Sequence, residues 1–272
     1  MIYVLGMSHI GPVVAACSGA RAHSQINQFN GKQPPAFVDI DTQAGIANDR
    51  VQAASIYLGH VAPHWGPILV DMNAANVLSY VPAYREFLEA IKAEDGKNTL
   101  FVFMNGEEYV YMTRRNHAVP YDFTLPSRLD LPILPQRQVV PFDVIRRQVA
   151  YLTARGLANF SLIRLVHPSL RVVHVVCPPP VPADYLLDDG LPVPGNAWAD
   201  DALRLKLYLT YAEYMSEQLA RHGIVTLNPP PETVGADGLL LPEYIFNSTH
   251  GNTFYGSRVL RQMNHIHRAR KA

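Results

Sequence analysis

Short apolar runs, each ended by Gly, Asn, Asp or Pro, recur along this chain of 272 residues. They are Ile2–Leu5, Ala36–Ile40, Pro67–Val70, Thr99–Met104, Val172–Val176 and Ile224–Leu227. The runs are continuous rather than alternating, which is how strands buried on both faces read. Helical stripes lie between them. Tyr84, Phe87, Leu88 and Ile91 follow Pro82, which suits a first helical turn. Phe142, Ile145, Val149 and Leu152 predict a second helix closed by Gly156. Leu203, Leu207, Tyr211, Tyr214 and Leu219 predict a third closed by Gly223, and Tyr255, Val259, Met263 and Ile266 predict the last. Strands alternating with helices imply a mostly parallel sheet covered on both faces, an α/β fold.

The length suits one large domain spanning 1–272. Two long irregular stretches remain, about 105–140 and 178–198. Loops of that length are usually functional, and ligands of open α/β sheets bind beyond the carboxyl ends of strands. A site is therefore expected near Ser8, Asn105, Pro178 and Pro229.

Lys plus Arg equals Asp plus Glu, 23 each. Zero net charge argues against a nucleic-acid partner. Two distant cysteines, Cys17 and Cys177, suggest no disulfide framework and a reducing compartment, hence a cytoplasmic location. No run of eighteen apolar residues predicts a membrane span. Val14-Ala15-Ala16-Cys17 resembles a lipoprotein cleavage site. No Lys or Arg precedes it, however, and His9, Gly11 and Pro12 interrupt the apolar stretch, so no signal peptide is expected.

In Leu5-Gly6-Met7-Ser8-His9 a strand ends, a glycine permits a sharp turn, and a serine sits where a helix begins. N–H groups and the helix dipole there favour developing negative charge, as a nucleophile and oxyanion site require. The same serine also reads as a simple helix cap. Near the other end, Asn247-Ser248-Thr249-His250-Gly251-Asn252 precedes the last helix, with Asn252 placed to cap it. A serine nucleophile needs a nearby base, and histidine has a suitable pKa. A doubly wound sheet lets the two ends of the chain meet.

Together, the Gly-x-Ser-His turn after the first strand and the His-x-Asn…Tyr-Gly signature before the last helix resemble the SGNH (GDSL-like) hydrolase superfamily. Further segments resemble one branch of it: Tyr121-Asp122-Phe123-Thr124-Leu125-Pro126, Val139-Val140-Pro141-Phe142-Asp143-Val144, Pro178-Pro179-Pro180, Leu205-Lys206-Leu207-Tyr208 and Asp237-Gly238-Leu239-Leu240. The resemblance implies a flavodoxin-like three-layer α/β/α sandwich that cleaves or transfers esters without a cofactor. Carried over, Ser8 is the nucleophile and His250 the base. Asn247 stands where the family has the triad Asp. Asn105, the Ser8 amide and a loop glycine, Gly45 or Gly59, would complete an oxyanion hole, with Gly106, His9 and Glu107 beside it. Three departures stand out. Met7 replaces the Asp of the GDS turn, Asn247 is an amide, and Met104-Asn105-Gly106 displaces the family's Asn. An amide in place of the triad acid costs on the order of ten-thousandfold in rate in the serine-protease example.

The substrate class implied is a small-molecule or carbohydrate ester, hydrolysed or transferred. The alternatives are a catalytically degenerate scaffold that binds a ligand or partner, and other chemistry through Glu107 or Glu108. His60, His64, His265 and His267 lack Cys or carboxylate neighbours at ligand spacing, so no metal site is expected. Arg258, Arg261, Arg268, Arg270 and Lys271 read as a solvated basic helix face. Cys177, before three prolines, reads as a buried inert thiol.

Overall fold

Strand β1, Ile2–Gly6, lies at the heart of a parallel sheet with β2 (Val51–Ser55), β3 (Thr99–Phe103), β4 (Arg171–Val175) and β5 (Val225–Leu227). The computed structural model describes residues 2–6, 8–17, 51–55, 70–72, 78–80, 88, 91, 97–103, 109–110, 112–113, 121–186 and 198–269. The strand order is 2-1-3-4-5, and every neighbouring pair is parallel. This is the flavodoxin-like doubly wound order.

Side chains of β1, β3 and β4 alternate between two buried clusters. Tyr3, Leu5, Leu100, Val102 and Val172 face α2 (Phe142–Val166) and α3 (Asp201–Ala220). Ile2, Val4, Phe101, Phe103, Val173 and Val175 face α1 (Gly11–Cys17) and α4 (Thr253–Arg268). Burial on both faces explains the continuous apolar runs and makes the architecture a three-layer α/β/α sandwich.

The structure differs from the sequence reading at several places. Of the run Pro67–Val70 only Val70 is described, and Val70–Met72 pairs antiparallel with Leu78–Tyr80 in a separate ribbon. The edge strand β2 is not among the expected strands, and Ala36–Ile40 lies outside the described residues. Gly156 does not close α2, which continues to Val166. A glycine inside a helix costs about 1 kcal/mol, and the fully buried Phe160 and Ile163 extend the apolar stripe beyond it. Gly223 does close α3. Its φ is +65°, its N–H donates to Ala220 O at 3.0 Å, and Ile224 N–H donates to Leu219 O at 3.0 Å. Those two bonds form a Schellman motif.

The long loop before α2 is held by a buried ion pair. Lys206 Nζ on α3 donates to Asp122 Oδ1 at 2.7 Å, to Pro132 O at 2.7 Å and to Phe123 O at 3.1 Å. Asp122 also accepts Phe123 N–H at 2.7 Å and Leu134 N–H at 3.0 Å. Both charges are buried with their hydrogen-bonding capacity largely used, the condition under which a buried pair persists. Arg204, two residues earlier, ties the stretch after β4 to the start of α3 by donating to Val181 O at 2.6 Å and to Ala199 O at 3.0 Å.

Candidate active site

In this topology the chain moves to one side of β1 to form β2 and to the other side to form β3. The crevice between the carboxyl ends of β1 and β3 is therefore the switch point where such sheets bind ligands. Gly6 ends β1 opposite Phe103 of β3. A β-carbon on Gly6 would stand 2.6 Å from Phe103 O and 2.9 Å from Ile10 Cγ2. The absence of a side chain thus lets strand, neighbour and turn meet. Ser8 opens the 3-10 turn Ser8–Ile10 that leads into α1. The structure places this turn where the sequence predicted it.

His250 sits on a narrow loop closed by an antiparallel bridge between Ile245 and Gly251. Phe246 N–H donates to His250 O at 2.9 Å and Asn252 N–H to Tyr244 O at 2.8 Å. Asn252 is the N-cap of α4, accepting from Phe254 N–H at 2.9 Å and Tyr255 N–H at 3.2 Å. Inside the loop, Asn247 Oδ1 accepts the backbone N–H groups of Thr249 at 3.0 Å and His250 at 2.9 Å. Those two donors fix which amide atom faces the loop. The same oxygen lies 2.8 Å from His250 Nδ1, which must then be the donor. Thr249 Oγ1 is also 2.8 Å from Nδ1. The network assigns the proton to Nδ1 and the lone pair to Nε2, the tautomer a general base needs. Burial pushes the His250 pKa down to about 4, so the ring is neutral at pH 7.

His9, the residue after Ser8, stacks on His250 with ring centroids 4.5 Å apart and planes 29° from parallel. The turn that carries Ser8 therefore abuts the loop that carries His250. Burial, and then the neighbouring His250, hold the His9 pKa well below the usual histidine range. Two glycines make this approach possible. A β-carbon on Gly251 would stand 2.5 Å from Tyr255 ring atoms, and one on Gly256 would stand 2.2 Å from Pro12 O.

Cys177 follows β4 at the same edge of the sheet and is buried, outside any disulfide. Tyr208 on α3 donates its hydroxyl to Cys177 O at 3.1 Å, and the Tyr109 ring meets Tyr208 edge-on at 5.3 Å. Burial pushes the hydroxyls of Tyr109, Tyr208 and Tyr255 well above the usual phenol range, keeping them neutral. The Tyr255 hydroxyl is buried with no hydrogen-bond partner among the described residues.

The structure thus brings together Asn247, His250, His9 and the backbone turn of Ser8. Met7, Gly45, Gly59, Asn105, Gly106, Glu107 and Glu108 lie outside the described residues. In chain order Gly59 follows β2, whereas Gly45 precedes it. Sequence reasoning missed Thr249 and Gly256 as site-shaping residues. Their signal was their place in the same segment as His250, one residue before it and one turn into α4. Among the described residues, no three His, Cys, Asp or Glu side chains cluster as metal ligands. His265 is exposed, and His267 Nδ1 instead meets Thr99 Oγ1 at 3.0 Å. No helix of the described residues is long and apolar enough to cross a membrane. The chain matches no protein-family model and no curated protein.

Proposed function

We propose that this chain is a serine esterase or O-acyltransferase of the SGNH type, acting on a small or carbohydrate ester. The observation that carries the reading is the contact between Asn247 Oδ1 and His250 Nδ1 at 2.8 Å. That oxygen already accepts two backbone N–H groups, which assigns the proton to Nδ1 and the lone pair to Nε2, in a loop packed against the Ser8 turn at the sheet's switch point. In the proposed reaction Ser8 Oγ attacks the ester carbonyl carbon while His250 Nε2 takes the hydroxyl proton. The oxyanion is met by the Ser8 amide, Asn105 and a glycine, Gly45 or Gly59, with Gly106 and Glu107 beside them. Collapse breaks the bond to the alcohol, which leaves with the proton from His250. Water or a second alcohol then attacks the acyl-serine, giving hydrolysis or transfer.

No nucleic-acid partner, membrane or cofactor enters this scheme. Cys177, buried and outside any disulfide, favours the cytoplasm as its compartment.

A second reading, a ligand-binding scaffold that has lost catalysis, draws on two features of the same site. Asn247 supplies no negative charge to an imidazolium, and burial makes that imidazolium costly. Turnover of p-nitrophenyl acetate and butyrate separates the two readings. The esterase reading expects saturable hydrolysis that Ser8→Ala abolishes, with product diverted to a new ester when an alcohol acceptor is added. Hydrolysis that persists unchanged in Ser8→Ala contradicts it.

A further inference from the structure

Asn247 brings no negative charge to His250 Nδ1, so the oxygens present there decide how well the ring carries a proton. The Asn247 oxygen is crowded. It meets the backbone N–H groups of Thr249 at 3.0 Å and His250 at 2.9 Å, His250 Nδ1 at 2.8 Å and Thr249 Oγ1 at 3.4 Å. A carbonyl oxygen has two lone pairs, and the two backbone donors call on both. The Thr249 hydroxyl oxygen has two lone pairs of its own and lies 2.8 Å from Nδ1. Nδ1, Asn247 Oδ1 and Thr249 Oγ1 thus form a triangle with sides of 2.8, 2.8 and 3.4 Å. One N–H directed between the two oxygens reaches both. With Nδ1 donating, the Thr249 hydroxyl turns its own hydrogen away from the ring, and Asn247 Oδ1 is placed to accept it. The result is a short chain from Nδ1–H to the hydroxyl to the amide oxygen, in which each bond polarises the next.

We propose that Thr249 is a positioning residue for the base: its hydroxyl shares the Nδ1 proton of His250 with Asn247 and takes over part of the work of the missing triad acid. The catalytic consequence rests on the Ser8–His250 reading, whereas the shared proton stands apart from it. When His250 takes the Ser8 proton, positive charge spreads over both ring nitrogens, and the bonds from Nδ1–H to its acceptors strengthen. An amide oxygen that already serves two backbone groups meets that charge poorly alone. A second oxygen at the same distance gives the charged ring an acceptor that no backbone group competes for.

The test compares full-length wild type with Thr249→Val, which keeps the branched shape and loses the hydroxyl, and Thr249→Ser, which returns the hydroxyl without the methyl. Two readouts are taken. One is the second-order rate of covalent labelling at Ser8 by a small fluorophosphonate. The other is the ring signals of His250 in ¹⁵N-histidine spectra, assigned by their loss in His250→Gln, which tell Nδ1–H from Nε2–H. Thr249→Val should label about tenfold more slowly, the scale of a lost hydrogen bond to a charged group, and should gain the Nε2–H form. Thr249→Ser should recover both. A Thr249→Val protein that matches wild type in either readout overturns the proposal, as does a Thr249→Ser protein that falls as far as Thr249→Val. If Thr249→Val does not fold, Thr249→Ala takes its place with the same expectations. If the wild type takes no label, the Ser8–His250 reading fails and the spectra decide alone. A gain of Nε2–H in Thr249→Val that Thr249→Ser reverses then upholds the shared proton, and no gain overturns it.

Discussion

Gly256 on α4 rests directly on the backbone of Pro12 on α1, where an added β-carbon would stand 2.2 Å from the Pro12 oxygen and 2.7 Å from Val13 N. Backbone atoms cannot give way as a flexible side chain can. The contact sets how closely the helix after His250 approaches the helix after Ser8. Gly256→Ala should therefore destabilise the fold by about 1–3 kcal/mol, the usual cost of overpacking, even though alanine is the better helix former. Urea denaturation measures it. The same variant should slow labelling of Ser8, because it pushes the two loops apart.

The buried pair of Asp122 and Lys206 makes a second prediction. Lys206→Met leaves the Asp122 carboxylate buried without its cation, and Asp122→Leu leaves an ammonium buried without its anion. Each should cost about 3–5 kcal/mol in chemical denaturation. The double variant should recover only part of this. Asp122 also accepts the N–H groups of Phe123 and Leu134, and Lys206 also serves the carbonyls of Phe123 and Pro132, so backbone groups remain unpaired.

Asn247 offers a change that should improve the site. Asn247→Asp keeps the acceptor for the N–H groups of Thr249 and His250 and for Nδ1–H, and adds a negative charge beside the ring. The His250 pKa should rise from about 4, and labelling of Ser8 should accelerate by tenfold or more, part of the roughly ten-thousandfold range seen for this exchange elsewhere. Asn247→Ala, which removes the acceptor, should slow labelling. The two rates, measured side by side, check both directions.

The depressed pKa of His250 sets the response to acid. With His250 as the proposed base, which works only when neutral, labelling should hold from pH 7 downward and fall as pH drops through about 4, not through the ordinary 6.5. Stability follows the same group. Between the ordinary value and the folded value, the unfolded chain binds a proton that the folded chain refuses. Stability is therefore full above the ordinary value, falls as pH drops through that window, and levels off with respect to this group below about 4. His250→Gln should flatten the slope in that window, as urea midpoints at successive pH values would show.

Much of the sheet was legible because β1 and β3 are continuous apolar runs buried on both faces and the middle of β4 is apolar and buried, while the apolar run 224–227 marked the edge strand β5, of which Val225 is exposed. Strand β2 was not, since Val51-Gln52-Ala53-Ala54-Ser55 carries little apolar signal and gains its place by pairing with β1 at the sheet's edge. Gly156 misled because local propensity favours a helix end there, while Phe160 and Ile163 beyond it bury against the sheet layer. Near the candidate site, the turn that Ser8 opens after β1 and the Asn252 cap of α4 could be read from turn and cap chemistry. The stacking of His9 on His250 and the seating of Gly256 on Pro12 could not, because each joins residues from opposite ends of the chain. The link between Asp122 and Lys206 was hidden because the two lie 84 residues apart and only the fold brings them together.

Intact-mass analysis after exposure to a small fluorophosphonate shows whether Ser8 is activated. One adduct is expected on the wild type and none on Ser8→Ala or His250→Ala. An adduct that persists on Ser8→Ala, or a folded wild type that takes no adduct at all, would contradict this expectation.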